Sequence, residues 1–182
     1  MSVADSAALP TLLKFLSADG SAPTGTGRYT INRWRSVSGV LVPCQRGLHA
    51  TTADNLLPFL NAALWRVESD GEYLWHEDSS LGRKFVGRRL RIVERVEAWN
   101  DRTARLFAAD CAERVLPLFE RERPNDDRPR QAIETARRFA NGEVPHDELA
   151  AARAAAWAAA RDAAGAAARA AARAAAWDAA WA

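Results

Sequence analysis

The chain is short of several things at once, and each shortage removes a class of protein. It has only two cysteines in 182 residues, Cys44 and Cys111, lying far apart. That excludes a disulfide framework; one bridge stays open, and free thiols in a reducing cytoplasm are the expectation. One-sided charge is also missing: 25 basic residues face 23 acidic ones, a net charge of +2. A general nucleic-acid binder needs a dense basic field to neutralise phosphates, so that class is set aside. The N-terminus has no basic head followed by a long apolar run, which predicts no signal peptide. The late alanine run is too weakly hydrophobic and too rich in Arg to span a membrane. No Ser, His and Asp order and no Cys and His pairing stands out for nucleophilic catalysis.

What is present suffices for a packed core, since 48% of the residues are apolar. Leu12, Leu13, Phe15 and Leu16 form a first apolar cluster, a strand, with Lys14 inside it. Ser17 to Gly27 is a Gly, Ser, Thr and Pro loop whose glycines are too irregular for a phosphate-binding fingerprint. Gly39 to Pro43 leads into Cys44 to Ala50 as a strand, a tight turn and a second strand. Leu56, Leu57, Leu60 and Leu64 recur at helical spacing and predict a short helix over Asn55 to Leu64. Apolar and charged residues alternate from Ala63 to Glu68, a half-buried strand ended by Asp70-Gly71, with Glu72 to Trp75 pairing back across that turn. A second alternating run follows Lys84, with Leu90 and Ile92 inward and Arg89, Arg91 and Arg95 outward.

From Arg102 to Gly142 the period changes to that of helices. Leu106, Phe107, Cys111, Val115, Leu118 and Phe119 fall on one face, predicted to be core, and Pro117 predicts a kink or restart. A second helix starts at a cap formed by Asp126 or Asp127, carries Pro129 in its first turn, and ends at Asn141-Gly142. Ala132, Ile133, Ala136 and Phe139 are its apolar stripe. Between Ala150 and Ala182 there are 23 alanines, and alanine is the strongest helix former. Arg153, Trp157, Arg161, Gly165, Arg169, Arg173, Trp177 and Trp181 interrupt them every fourth residue. That spacing drifts about 40° per step on a helix of 3.6 residues per turn, so the tryptophans face different ways unless Gly165 divides the run. A hairpin, or a layer packed on Arg102 to Gly142, is the expectation.

These motifs carry a resemblance. Ala108 to Glu120, then Asp126 to Glu134 and Arg137 to Gly142, with the alanine, arginine and aromatic repeat after them, resemble the fifth class of immunity proteins associated with bacterial toxin systems. The resemblance covers the second half of the chain and implies an all-helical module that neutralises a toxin by binding it. The first half resembles an uncharacterised bacterial and phage domain family with a Lys-Phe pair followed by Cys-x-x-Gly-Phe-His-Ala. Here those are Lys14-Phe15 and Cys44 to Ala50, with Leu48 in place of the aromatic. This arrangement is also loosely similar to ADP-ribosyltransferase-like folds, without a catalytic glutamate motif.

The expectation is therefore an α+β protein, with a small mixed domain over residues 1–100 and a helical domain of four or more helices over 101–182. Candidate binding residues are Lys14, His49, Asp110, Asp126, Asp127, Arg128 and Arg130. The aspartates and arginines could form a polar pocket where Arg forks read a carboxylate or phosphate, or could pair with one another as caps and salt bridges. His49 beside Gly47 is either a ligand contact or a histidine capping a turn. His76, Glu77 and Asp78 have metal-ligand chemistry, but as neighbours on a loop they cannot all point inward, so no metal and no cofactor is expected. Cys111 reads as core filler. The leading function is non-catalytic binding of a partner toxin or effector protein. The alternative is a nucleotide-like small molecule, or an enzyme on the N-terminal fold, and the alanine-rich helices offer a route to a homo-oligomer.

Overall fold

The computed structural model describes residues 9–23, 27–79 and 82–180, without the side chains of residues 170 and 174–180. It is an α+β structure of two compact units, Met1–Asn100 and Asp101–Ala182.

The first unit is an antiparallel sheet built around one long hairpin. Strand β4 (Ala63–Asp78) pairs along its length with β5 (Gly82–Arg95), β1 (Leu12–Leu16) lies on the other side of β4, and the short β2 (Arg35–Ser36) and β3 (Leu48–Ala50) both pair with β5. Asp70-Gly71 does not end the first arm as the sequence suggested. Gly71 takes φ 78 and the register shifts between Asp70 and Tyr73, so the dipeptide is absorbed as a bulge and the strand runs on to Asp78. Leu13 and Thr51 exchange both backbone hydrogen bonds, at 2.8 and 2.9 Å, which ties β1 to the end of β3.

Alternation on β1 sets the core. Leu12 and Leu16 pack with Leu48, Ala50, Val67, Phe85, Leu90 and Ile92, while Leu13 and Phe15 meet Leu64 on the other face. Phe85 is fully buried, stacked on Tyr73 and edge-on to Trp75. Trp99 stands edge-on to Phe15 and donates from Nε1 to the Asn61 carbonyl. Leu90 and Ile92 are buried as their alternation predicted. Two sequence expectations fail here. Gly39 to Pro43 is no full strand, although Val42 bridges antiparallel to Arg46 across the expected tight turn and β3 follows it, and Asn55 to Leu64 is no helix. That segment makes two single 3₁₀ turns, Ala53–Asn55 and Leu57–Phe59, the second opened by Pro58, and Leu64 is already in β4. Leucine spacing alone could not outweigh the proline and the demand for a strand.

The second unit has three helices among the described residues: α1 (Asp101–Glu122), α2 (Arg128–Ala140) and α3 (His146–Ala180). The fourth helix expected from Gly165 is absent because α3 runs through that glycine without a break, as α1 does through Pro117. Asp127 is the N-cap of α2, Pro129 sits in its first turn, and Gly142 takes φ 77 just past its end.

Candidate partner-binding groove

The packed face of α1 differs from the one read off its large apolar residues. Ala109 and Leu116 are buried against Ile133, whereas Val115 and Leu118 are exposed and so is Cys111. Beside that contact, Ala104, Ala108 and Ala112 recur every fourth residue on α1, Ala132 and Ala136 on α2, and Ala156 and Ala160 on α3, all lining an open trough. Their small side chains leave that trough open, while the buried contact itself runs through Ala109 and Leu116 against Ile133. This spacing was visible in the sequence and is the signal that locates the groove.

Helix α2 packs on both α1 and α3, which hardly touch each other. Between the outer pair lies an open groove of about 570 Å³, floored by Pro129, Ala132, Ile133 and Ala136 and walled by the alanines together with Val115, Leu116, Phe119 and Leu149. Three charged residues reach it: Asp101, Arg105 and Arg153. Arg105 lies over the Phe139 ring and 3.8 Å from Asp101. Arg153 meets no carboxylate among the described residues.

Ion pairs hold this shape. Arg137 of α2 donates to Asp110 and Glu113 of α1, each at 2.7 Å, and Arg138 reaches Glu148 of α3 at 2.9 Å. Arg128 chelates Asp126 through two nitrogens at 2.8 and 2.7 Å and continues to Asp162 of α3 at 3.0 Å. The guanidinium holds the Asp126 carboxyl below the usual range, and Arg128 is held above its own by Asp126 first and Asp162 second. Arg130 pairs with Glu120 at 2.5 Å, and the Asp127 carboxylate accepts from the Gln131 amide at 2.7 Å. The corner thus brings Asp126 and Arg128 together and places Asp110 and Arg130 in separate pairs. Each of these Arg forks already holds a carboxylate of its own chain.

Lys14 and His49 lie in the sheet unit. Lys14 Nζ donates to the His49 backbone carbonyl at 2.7 Å and stands 5.1 Å from the Tyr29 ring. Burial, helped by the charge of Arg35, brings the Lys14 pKa down to about 8. The His49 ring accepts the Cys44 backbone N–H at its Nε2, 3.3 Å away, so it closes a turn. Its pKa falls to about 4, through burial first and then the charges of Lys14, Lys84 and His76. A histidine that is harder to protonate folded than unfolded stabilises fully above pH 6.5 and progressively less as the pH falls toward 4. Between pH 6.5 and 5 the sheet unit should lose about 1 kcal/mol on this account, after discounting for its partial exposure. Urea titrations of the native chain and of His49→Gln, whose amide oxygen can still accept the turn hydrogen bond, test this. The difference between the two curves should narrow as the pH drops, and a constant difference would refute it.

Three helices around an apolar trough, with the wall residue Arg153 unmatched among the described residues, define a helical module with an open groove. Residues 94–182 match the family described as Imm-5 like putative immunity protein. No curated protein and no solved structure matches the chain. The second half is thus similar to immunity proteins, which points to an immunity-type role and to a partner protein in general terms. No helix among the described residues is long and apolar enough to cross a membrane.

Proposed function

We propose that the helical unit neutralises a partner toxin or effector by seating one of its helices, apolar on one side and carrying a carboxylate, in the groove between α1 and α3. The observation that carries this reading is the groove itself, an open trough whose accessible lining is alanine and Val115, over the buried Leu116, Ile133 and Leu149. A soluble module normally covers such a surface. An amphipathic helix fits a trough with an apolar floor and helical walls. Arg153 favours an acidic occupant because a guanidinium beside an apolar surface gains most from a carboxylate that shares its desolvation.

The test is isothermal titration of the protein against inactivated toxins encoded beside its gene. Ala112→Trp, which fills the groove, should weaken binding at least about 30-fold, the loss of one interface hot spot. Arg153→Glu should cost about tenfold or more through like-charge repulsion. Both variants should keep the helical circular dichroism of the native chain. Unchanged binding in both would remove the groove from the interface. Self-association of the native chain, lost in Ala112→Trp, would show that the occupant is a second copy and overturn the toxin reading.

A further inference from the structure

The Cys-x-x-Gly-Leu-His-Ala motif plays no part in the groove, yet the sheet unit gathers chemistry around it. The chain at Gly47 lies so close to β5 that a Cβ there would stand 2.2 Å from Val86 Cγ1. Only glycine permits that approach, and it sets the preceding loop over β5 with Cys44 in a left-handed conformation at φ 62, unusual for a residue with a side chain. His76 and Asp78 alternate onto one face of β4 beside Lys84 of β5. The Cys44 sulfur, a His76 nitrogen and an Asp78 oxygen come within 4.8 Å of one another. Lys84, only 5% exposed, points its Nζ into this group, 3.3 Å from Cys44 Sγ and 3.0 Å from Asp78 Oδ2. An ammonium therefore already stands where a metal ion would bridge sulfur and carboxylate, which turns the cluster from cation binding toward sulfur chemistry.

We propose that Cys44 is a reactive thiolate site for small hydroperoxides, with Lys84 as the cation that stabilises the sulfur anion. Cys44 is exposed while its ammonium partner is buried. Reagent can thus reach the sulfur, and the charge beside it is poorly screened. Burial works against the charge on Lys84, but the Asp78 and Cys44 contacts outweigh it and hold its pKa above the ordinary value. Acyl transfer would call for an array of oxyanion donors; a peroxide needs only a thiolate and a nearby proton source. In the step, Cys44–S⁻ attacks the terminal oxygen of R–O–OH. An S–O bond forms, the O–O bond breaks, sulfur is oxidised by two electrons and the peroxide is reduced. The products are Cys44–S–OH and R–O⁻, and the alkoxide takes a proton from Lys84, which solvent restores. Asp78 shares the same ammonium and repels the sulfur anion, so it opposes the reaction.

The chain carries its own control, because Cys111 is also exposed but lies on α1. Iodoacetamide labelling of the native chain at pH 7, read by peptide mass spectrometry, should modify Cys44 at least about tenfold faster than Cys111. Lys84→Gln should bring the Cys44 rate down to that of Cys111, and Asp78→Asn should raise it; a folding defect would not move the two variants in opposite directions. Hydrogen peroxide followed by dimedone should then tag Cys44 in the native chain. Equal rates at the two cysteines, a Cys44 rate indifferent to Lys84→Gln or lowered by Asp78→Asn, or no dimedone adduct would each overturn the proposal. So would protection of Cys44 by one equivalent of Zn²⁺, which would make Cys44, His76 and Asp78 a metal site.

Discussion

Phe85→Ala is expected to cost the sheet unit about 3 to 5 kcal/mol, the usual loss when a fully buried phenylalanine is cut back to a methyl group. Phe85 is fully buried, and its ring lies 5.2 Å from that of Tyr73 and 5.4 Å from that of Trp75. Both neighbours lie on β4, opposite the strand that carries Phe85, so neither can follow the retreating side chain without breaking the hairpin ladder. The cavity should stay open. A domain of ordinary stability has about 5 to 15 kcal/mol in all, so the variant sits near the edge of folding. Tryptophan fluorescence of Trp65, Trp75 and Trp99 in a urea titration measures the effect. A loss under about 1.5 kcal/mol would mean that the ring is not the keystone of this core.

Gly47→Ala is the second large effect, and its cause is the opposite, too much atom in place of too little. A β-carbon at 2.2 Å from Val86 Cγ1 forces the loop off β5 or Val86 out of its place in the buried strand. Overpacking of this kind costs about 1 to 3 kcal/mol. The collision is with one methyl group, which makes a cycle informative. Val86→Ala alone opens a small cavity and destabilises, yet combined with Gly47→Ala it removes the obstacle. The double variant should therefore be more stable than the sum of the two single losses predicts, by about 1 kcal/mol or more. Additive losses would show that the strain arises from the backbone conformation of residue 47 and not from the contact. The same variant moves Cys44 relative to Lys84, so it should also slow labelling at Cys44.

The strands were legible where burial leaves one clean pattern. The alternation of Leu90 and Ile92 with Arg89 and Arg91 follows from one wet and one dry face, and the Arg91 and Glu68 pair on the wet face confirms it at 2.8 Å. The hairpin turn was misplaced because Asp-Gly fits a bulge as well as a turn, and only the partner strand decides between them. The dry face of α1 was misread for a different reason. Hydrophobicity weights favour Val115 and Leu118, but the buried contact runs through Ala109 and Leu116 against Ile133, a face rotated from the one those weights select. The cluster around Cys44 was half visible. His76 and Asp78 alternate on a strand and so share a face, but read as neighbours on a loop they looked incompatible. Cys44 and Lys84 reach them only through pairing across the sheet, which no local spacing encodes. The two later tryptophans of the alanine-rich segment, Trp177 and Trp181, lie outside the described side chains, while Trp157 is 70% exposed.

The reciprocal Leu13 and Thr51 hydrogen bonds make a circuit of the sheet, from β1 through β4 and β5 to β3 and back. A circuit cannot be peeled from one end. The amide protons of Leu13 and Thr51 leave for solvent only when the ring springs open, so their exchange with deuterium should track unfolding of the whole unit, although both sit in the shortest pairing of the sheet. The same closure leaves β1 and β3 no unpaired rim at that point for a strand of another molecule to extend.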